Sequence, residues 1–485
     1  MKAKINFLFI LVFGPVAALF AQSLTWSNEQ VVANGNPYGN TRPRIAVASG
    51  NVPVVIWGGG MTTQPLYTAR KSGTTFSMAM PVTPNGVDPA IMTWHGPDIA
   101  ADANIVFIVF KREMEMMYNI YCIKSTDGGL TWGDTVRVDG MNGPYSRFPA
   151  VDVTSSGNPA VLFMAFDSAW GSATYVVTNS IDGGMTFQLP VDVSAAGGSY
   201  VCDCCPGYIE VEGNNQAAAW RRNNNNLRDM WANVSVNDGV SFSSAMDVDN
   251  TDWMITSCPS SGPDPYLWND SLFTVFMSQA TGNSRVYLNT SNYNTLQSGS
   301  TTMLHPSVPS STLQNYPFIA GSADTIVVVW QQTSGGNTDV WYSWSVTGAA
   351  GLFSNAAILN SATSGSQQNP HVAYSNGVFH FVFSDMNSGN VIYKSATISP
   401  TGIEMVDEKL HVKVYPNPSD ESILLHVPAG KAFSIKLSDM TGRTIETFQT
   451  SGERQVILHH QVAGVYFLEV TGENHEVFTT RVVFY

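Results

Sequence analysis

Residues 202–206 read Cys-Asp-Cys-Cys-Pro, which sets three thiols within four positions of a chain that has only five cysteines. A fourth, Cys258, stands in Ser-Cys-Pro-Ser-Ser-Gly-Pro, and Cys122 lies far from both. Thiols at this spacing can do three kinds of chemistry. Joined in pairs, they staple loops, which suits an exported protein. As thiolates, Cys202, Cys204, Cys205 and Cys258 would supply four sulfur ligands to copper or zinc. Cys202 and Cys205 also form Cys-x-x-Cys, a redox spacing, although no thioredoxin-like βαβ pattern surrounds it.

Arginine is the second chemical resource nearby. Arg221 and Arg222 follow Trp220 at the end of an apolar run, Arg228-Asp229 opens the next, and Asp252-Trp253 precedes Cys258. Arg221, Arg222, Arg228 and Trp253 are therefore candidate binders of an anion or a sugar, and bracing of the loops by salt bridges is the alternative use. All of this chemistry needs the two cysteine loops to be neighbours, which is a question about the fold.

A repeat near 55 residues answers it. "NIYCIKSTDGGLTW", "TYVVTNSIDGGMTF" and "DMWANVSVNDGVSF" align on Ser125, Ser180 and Ser235, two equal steps of 55. Weaker copies end at Ser72, Ser291, Ser345 and Ala396. An independent marker is a proline before an alternating apolar segment, at Pro43, Pro97, Pro149, Pro206, Pro263, Pro317 and Pro370. Near-continuous apolar runs follow, such as "IVFIVF", "AVLFMAF" and "IVVVWQ", and these read as strands buried on both faces. Each unit thus has an inner strand, a doubly buried second strand, a third ending at the serine, and an outer strand. Seven four-stranded units predict an all-β, seven-bladed β-propeller. The last copy lacks an outer strand, and "SLTWSNEQVVANG" near the start resembles one, so residues 23–33 are expected to close the ring and leave no open seam. Cys202, Cys204 and Cys205 then precede the inner strand of blade four and Cys258 that of blade five, neighbouring loops at one end of the central channel.

"STDGGLTW" and "SIDGGMTF" resemble the Asp-box, or bacterial neuraminidase repeat, of sialidases and many other propellers. Ser125, Asp127, Gly129 and Trp132, with Ser180, Asp182, Gly184 and Phe187, are read as structural. Serine and aspartate oxygens accept backbone N–H groups, glycine takes φ > 0, and the aromatic ring packs beneath the turn. The sialidase likeness implies an arginine clamp on a carboxylate, a tyrosine nucleophile and an acid/base carboxylate. Arg44 in "RPRIA", Arg147, Arg228 and Tyr316 are the matching candidates, with Asp98 and Asp264 as channel-mouth carboxylates. Sialidases are similar to six-bladed propellers, and the charges here do not follow that family's order. Arg42, His95 and His371 belong to the same mouth.

The final stretch departs from the repeat. "VYPNPSDESILLHV", "IKLSDMTGRTIET" and "VAGVYFLEV" resemble the C-terminal sorting domain of type IX secretion substrates, a small immunoglobulin-like β-sandwich. The matching positions are Tyr415, Pro416, Asn417, Pro418, Gly442, Arg443, Gly464 and Tyr466. The resemblance implies the type IX secretion machinery as a partner and export through the periplasm to the outer cell surface or beyond. At the other end, two lysines precede an apolar run of about 15 residues that ends in Ala-Leu-Phe-Ala, the form of a signal peptide rather than a membrane span. The expected boundaries are a signal peptide at 1–21, the propeller at 22–398, a linker at 399–410 and the sorting domain at 411–485. Only 12% of residues are charged and the net charge is −14, so no basic face is expected for nucleic acid or an anionic membrane. The functional expectation is a secreted or surface-displayed binding or scaffold propeller, with a glycan or surface polysaccharide as ligand near blades four and five. A sialidase-like glycoside hydrolase and a copper or zinc thiolate protein are the alternatives.

Overall fold

The computed structural model describes residues 22–35, 41–58, 65–84, 87–113, 119–140, 145–195, 200–362, 364–400, 412–427, 432–451, 455–459, 462–472 and 477–485. The signal peptide expected at 1–21 and most of the expected linker lie outside the described residues. Two compact units emerge, Leu24–Ile398 and one containing Ser399–Tyr485.

Among the described residues the larger unit holds seven antiparallel sheets. Their innermost strands are Thr41–Ala48, Asp98–Asp102, Tyr145–Val153, Tyr208–Glu212, Asp264–Trp268, Leu313–Ser322 and Gln367–Ser375. Each packs against the next in chain order and the last against the first, which makes a ring around a central channel. The second strands carry the apolar runs and are buried almost end to end. Pro159–Phe166 is buried at every position. Trp57, Trp220 and Trp330 close three of these runs and are fully buried. The apolar core lies in layers between adjacent sheets. One layer joins Ala46 and Ile56 to Ile108 and Phe110, and another joins Ile45 and Val55 to Val382 and Tyr393.

The last sheet is completed by the beginning of the chain. Gln22–Trp26 and Gln30–Ala33 both pair with Asn390–Pro400. Ser27 N–H donates to the Ser395 carbonyl at 2.9 Å, and Ser395 N–H returns to the Ser27 hydroxyl at 2.9 Å. The seam is closed by hydrogen-bonded strands rather than left as an edge.

The marker prolines have a geometric role. In four inner strands the ladder slips between Thr41 and Arg44, Arg147 and Ala150, Asn315 and Phe318, and Gln368 and His371. Two residues there face one on the neighbour, a β-bulge, and the second of the two is Pro43, Pro149, Pro317 or Pro370. Proline has no N–H to lose from the ladder, so it fits where pairing is broken. The residue before each proline is left-handed, with φ of 54° at Arg42, 55° at Phe148, 52° at Tyr316 and 55° at Asn369.

The Ser-x-Asp-x-Gly turns spend their side-chain oxygens within the turn. The Ser125 hydroxyl donates to Asp127 Oδ1 at 2.8 Å and accepts Gly129 N–H at 2.9 Å. Asp127 Oδ1 accepts the N–H groups of Leu130 and Thr131, and Oδ2 accepts the Thr131 hydroxyl at 2.6 Å. Those Thr131 bonds, led by the hydroxyl, hold the Asp127 carboxyl down to about 2. Ser180, Asp182, Gly184 and Thr186 repeat the pattern, and Ser235 with Asn237 keeps most of it. A Cβ on Gly129 would come within 2.9 Å of Val54, and one on Gly184 within 2.9 Å of Phe107. Each turn therefore seats against the preceding sheet and helps lock adjacent blades.

The smaller unit holds a three-stranded and a four-stranded sheet around a core that includes Ile423, Leu425, Ile435, Leu437, Leu468 and Val482. Asn417 donates to the Arg481 carbonyl at 2.7 Å and accepts Val483 N–H at 2.9 Å, so Tyr-Pro-Asn-Pro fastens to the final strand. Gly442 has φ of 84° in a turn where Asp439 accepts Thr441 N–H, Arg443 N–H and the Arg443 guanidinium. The Tyr466 hydroxyl donates to the Val462 carbonyl at 2.6 Å. Among the described residues no helix is long and apolar enough to cross a membrane.

Candidate functional site

The throat of the channel lies at the end where the inner strands begin, and the bulges fill it. Arg42 is 1% exposed, its guanidinium stacks 4.6 Å from the Tyr316 ring centroid across the channel, and it donates to the carbonyls of Met92 and Thr93. Burial is the main reason its pKa falls to about 10. Beneath it the Arg44 guanidinium lies 4.3 Å from the Phe318 ring, donates to the Tyr208 hydroxyl at 3.1 Å, and sets Nε 3.7 Å from Asp98 Oδ1. His95 packs edge-on against Phe148, and burial drives its pKa well below the usual value. At this end, expected from sequence to be the functional mouth, Arg42 and Arg44 are buried against rings of the facing blades.

Asp98 and Asp264 turn out to be ties between blades. Asp98 Oδ2 accepts Val151 N–H at 3.0 Å, and Asp264 Oδ2 accepts Ile319 N–H at 2.8 Å. Asp152 Oδ2 accepts Val211 N–H at 2.6 Å, and His371 Nδ1 accepts Ile45 N–H at 3.3 Å. In each case a side chain of one inner strand satisfies a backbone donor on the next, which burial would otherwise leave costly.

Below the throat the channel widens into a cavity of about 730 Å³ lined by Asp98, Asp152, Tyr208, Glu210, Asp264 and Tyr374, among others. It runs down to the turns at Ala103, Ser155 and Gly213, which are exposed, so it opens at the end opposite the cysteine loops. Burial pushes the Asp152 carboxyl up to about 7 and that of Asp264 up to about 8. Burial also raises Glu210 strongly, and it raises Asp98 although Arg44 pulls the other way. Asp152 and Glu210 were not among the candidates from sequence. Their signal was an acidic residue within four positions after the marker proline, repeated in blades two to five.

The arginine clamp is not assembled. Arg147 lies against Phe166 and Trp170, its guanidinium 4.5 Å from the Trp170 ring. Arg228 donates to the Ile255 carbonyl at 3.0 Å and to Cys202 Sγ at 2.8 Å. Arg44, Arg147 and Arg228 thus serve three different neighbourhoods. Arg221 is fully buried and gives its donors to the carbonyls of Ser261, Arg228 and Met277, with Trp253 stacked at 5.2 Å. It braces the loops instead of presenting a charge to a ligand. Arg222 is half-buried, 4.4 Å from the Trp231 ring and 5.4 Å from the Tyr200 ring.

The cysteine loops do meet. Cys204 and Cys258 form a disulfide, and Cys202 and Cys205 are free and buried. Their sulfurs are 3.0 Å apart, and Cys202 Sγ is 3.6 Å from Cys204 Sγ. All four sulfurs lie within 4.8 Å of one another, so a thiolate metal site is available to the set only when the disulfide is reduced. The hydrogen bond with Cys205, helped by Arg228 and Arg221 against burial, holds Cys202 down to about 7. Burial pushes Cys205 well up. Cys122 stands alone in the core, raised by burial to about 12.

Residues 413–484 match the family described as the secretion system C-terminal sorting domain. That tail marks the chain for export by type IX secretion to the cell surface or beyond it. No curated protein matches the chain. Among solved structures it is similar to a protein of unknown function from Dyadobacter fermentans, at 11% identity and TM-score 0.43, over 78% of this chain and 99% of that one. It is similar to the Penicillium chrysogenum α-L-arabinanase complexed with arabinobiose, at 12% identity and TM-score 0.40, over 77% and 98%. It is also similar to Trypanosoma rangeli sialidase in complex with the inhibitor DANA, at 9% identity and TM-score 0.43, over 91% and 84%.

Proposed function

We propose that the exported propeller is a binding protein that takes a polyhydroxylated ligand, a glycan chain end, into its central cavity. The observation that carries this reading is the cavity of about 730 Å³ lined by Asp98, Asp152, Glu210 and Asp264, with Tyr208 and Tyr374 beside them. Carboxyl oxygens accept hydrogen bonds from sugar hydroxyls, and a carboxyl that keeps its proton also donates one. Blades four and five supply Tyr208, Glu210 and Asp264, so the ligand still touches the blades expected from sequence. It enters from the end remote from the cysteine loops. The test is a glycan array with the full chain, followed by calorimetry on the hits. Binding that weakens about tenfold or more in Glu210→Gln supports the reading, since one lost hydrogen bond to a charged group is worth about 1.5–3 kcal/mol. No glycan retained above background would end it.

A second reading is glycoside hydrolysis in the same cavity. Asp152 and Asp264 hold protons near neutral pH, the property a general acid needs. A sialidase-type mechanism lacks its arginine clamp here, so the substrate would be a neutral sugar. Turnover of arabinan or other plant glycans that disappears in Asp264→Asn, with folding intact, would favour hydrolysis over binding alone.

A further inference from the structure

The four-cysteine cluster joins a buried pair of free thiols to an exposed disulfide, in sulfur-to-sulfur reach. Cys202 and Cys205 are both 0% exposed and 3.0 Å apart, while Cys204 is half-buried and Cys258 exposed. Cys202 Sγ sits 3.6 Å from Cys204, the disulfide sulfur it could attack. Arg228 donates to Cys202 Sγ at 2.8 Å and is itself anchored to the Ile255 carbonyl, so a cation is fixed beside that sulfur. A loop staple alone would need neither the second thiol pair nor a guanidinium aimed at it.

We propose that these residues form a thiol–disulfide exchange site that reduces a substrate disulfide through Cys258, with Cys202 and Cys205 as the buried store of two electrons. In the first step the Cys202 thiolate attacks Cys204 Sγ. The Cys202–Cys204 bond forms, the Cys204–Cys258 bond breaks, and Cys258 leaves with the electron pair and takes a proton from solvent. In the second, Cys205 attacks Cys202 Sγ and its proton passes to the departing Cys204 sulfur, which lies within 4.8 Å. The Cys202–Cys205 bond forms, and Cys204 leaves as thiolate and is protonated. Two electrons have passed from the buried pair to the outer pair, with no external oxidant. The Cys258 thiolate then attacks a substrate disulfide and expels one thiolate. Cys204 attacks Cys258 Sγ, expels the other, and restores the original bond. Net, one substrate disulfide becomes two thiols and the Cys202/Cys205 pair becomes a disulfide.

The experiment is native labelling of the full chain, purified without reductant, with a hydrophilic maleimide, followed by mass-spectrometric mapping. In the wild type Cys258 is labelled, because exchange frees it. In Cys202→Ser the attacking sulfur is gone and Cys258 labelling slows at least about tenfold, the exchange being limited by that thiolate. Cys205→Ser stops after the first step, so Cys258 is still labelled and a Cys202–Cys204 disulfide is recovered. The substrate arm uses an aromatic disulfide reagent: the wild type releases two thiols per chain and ends with two disulfides, and Cys202→Ser releases none from the cluster. Cys258 left unlabelled in the folded wild type, or labelled equally fast in Cys202→Ser, would overturn the proposal.

Discussion

Replacing Asp98 with alanine removes the carboxylate that faces Arg44 in the throat. The Arg44 side chain is 1% exposed and that of Asp98 10%, so the variant leaves a guanidinium in the interior without its counter-charge. What remains for Arg44 is the Tyr208 hydroxyl, a 3.5 Å contact with the Pro43 carbonyl, and the Phe318 ring. Its Nε has no hydrogen-bond acceptor even in the wild type. Val151 N–H also loses its acceptor. Breaking a buried pair from one side costs about 3–5 kcal/mol, whereas removing both charges is often nearly neutral. Urea unfolding followed by tryptophan fluorescence should therefore show Asp98→Ala destabilised by about 3–5 kcal/mol. Asp98→Asn, which keeps an acceptor for Val151, should lose less. Arg44→Met combined with Asp98→Ala should recover about 2 kcal/mol relative to the sum of the single variants. A loss under about 0.5 kcal/mol in Asp98→Ala, or strict additivity in the double variant, would refute the account of a desolvated pair.

The half-buried carboxyl of Asp264, with a folded pKa of about 8 against 3.8 for a free carboxyl, gives a pH dependence of definite sign. The native state binds this proton more tightly than the unfolded chain, so this contribution to stability is complete below the unfolded pKa and fades as pH rises towards the folded one. Urea midpoints from acid to mildly alkaline pH should fall more steeply in the wild type than in Asp264→Asn, and equal slopes would contradict it. Gly129→Ala, at φ of 85° and within 2.9 Å of Val54, should cost about 1–3 kcal/mol. Gly133→Ala, whose nearest contact is an ordinary 3.5 Å, serves as its near-neutral control in the same thermal melts. Asn417→Ala removes two bonds to the last strand of the tail and should destabilise it by about 1–2 kcal/mol, with less protein reaching the cell surface by immunoblot of intact cells.

The propeller was legible because its causes are local and recur. Apolar runs that must be buried on both faces, the Ser-x-Asp-x-Gly turns and a proline at each inner strand return every 52 to 57 residues, and the leading "SLTW" segment carries the pattern of a missing outer strand. The tail was legible for the same reason, since Tyr-Pro-Asn-Pro and Asp-Met-Thr-Gly-Arg are short motifs whose side chains bond to backbone close by or on the final strand. Sequence also placed the two cysteine loops side by side, because chain order and blade order coincide.

What the sequence left open is set across blades, where partners are about one repeat apart and no spacing rule reaches. Cys258 bonds Cys204 rather than Cys202 or Cys205 because of how two loops face each other. Asp98, Asp152 and Asp264 spend an oxygen on a neighbour's backbone N–H, a role invisible until the strands are packed. The bulges turn Arg42 and Tyr316 onto one another across the channel. Residue types fixed which surfaces had to be buried. Only the packed ring decided which charges met, which carboxyls lined the cavity, and which sulfurs were left free.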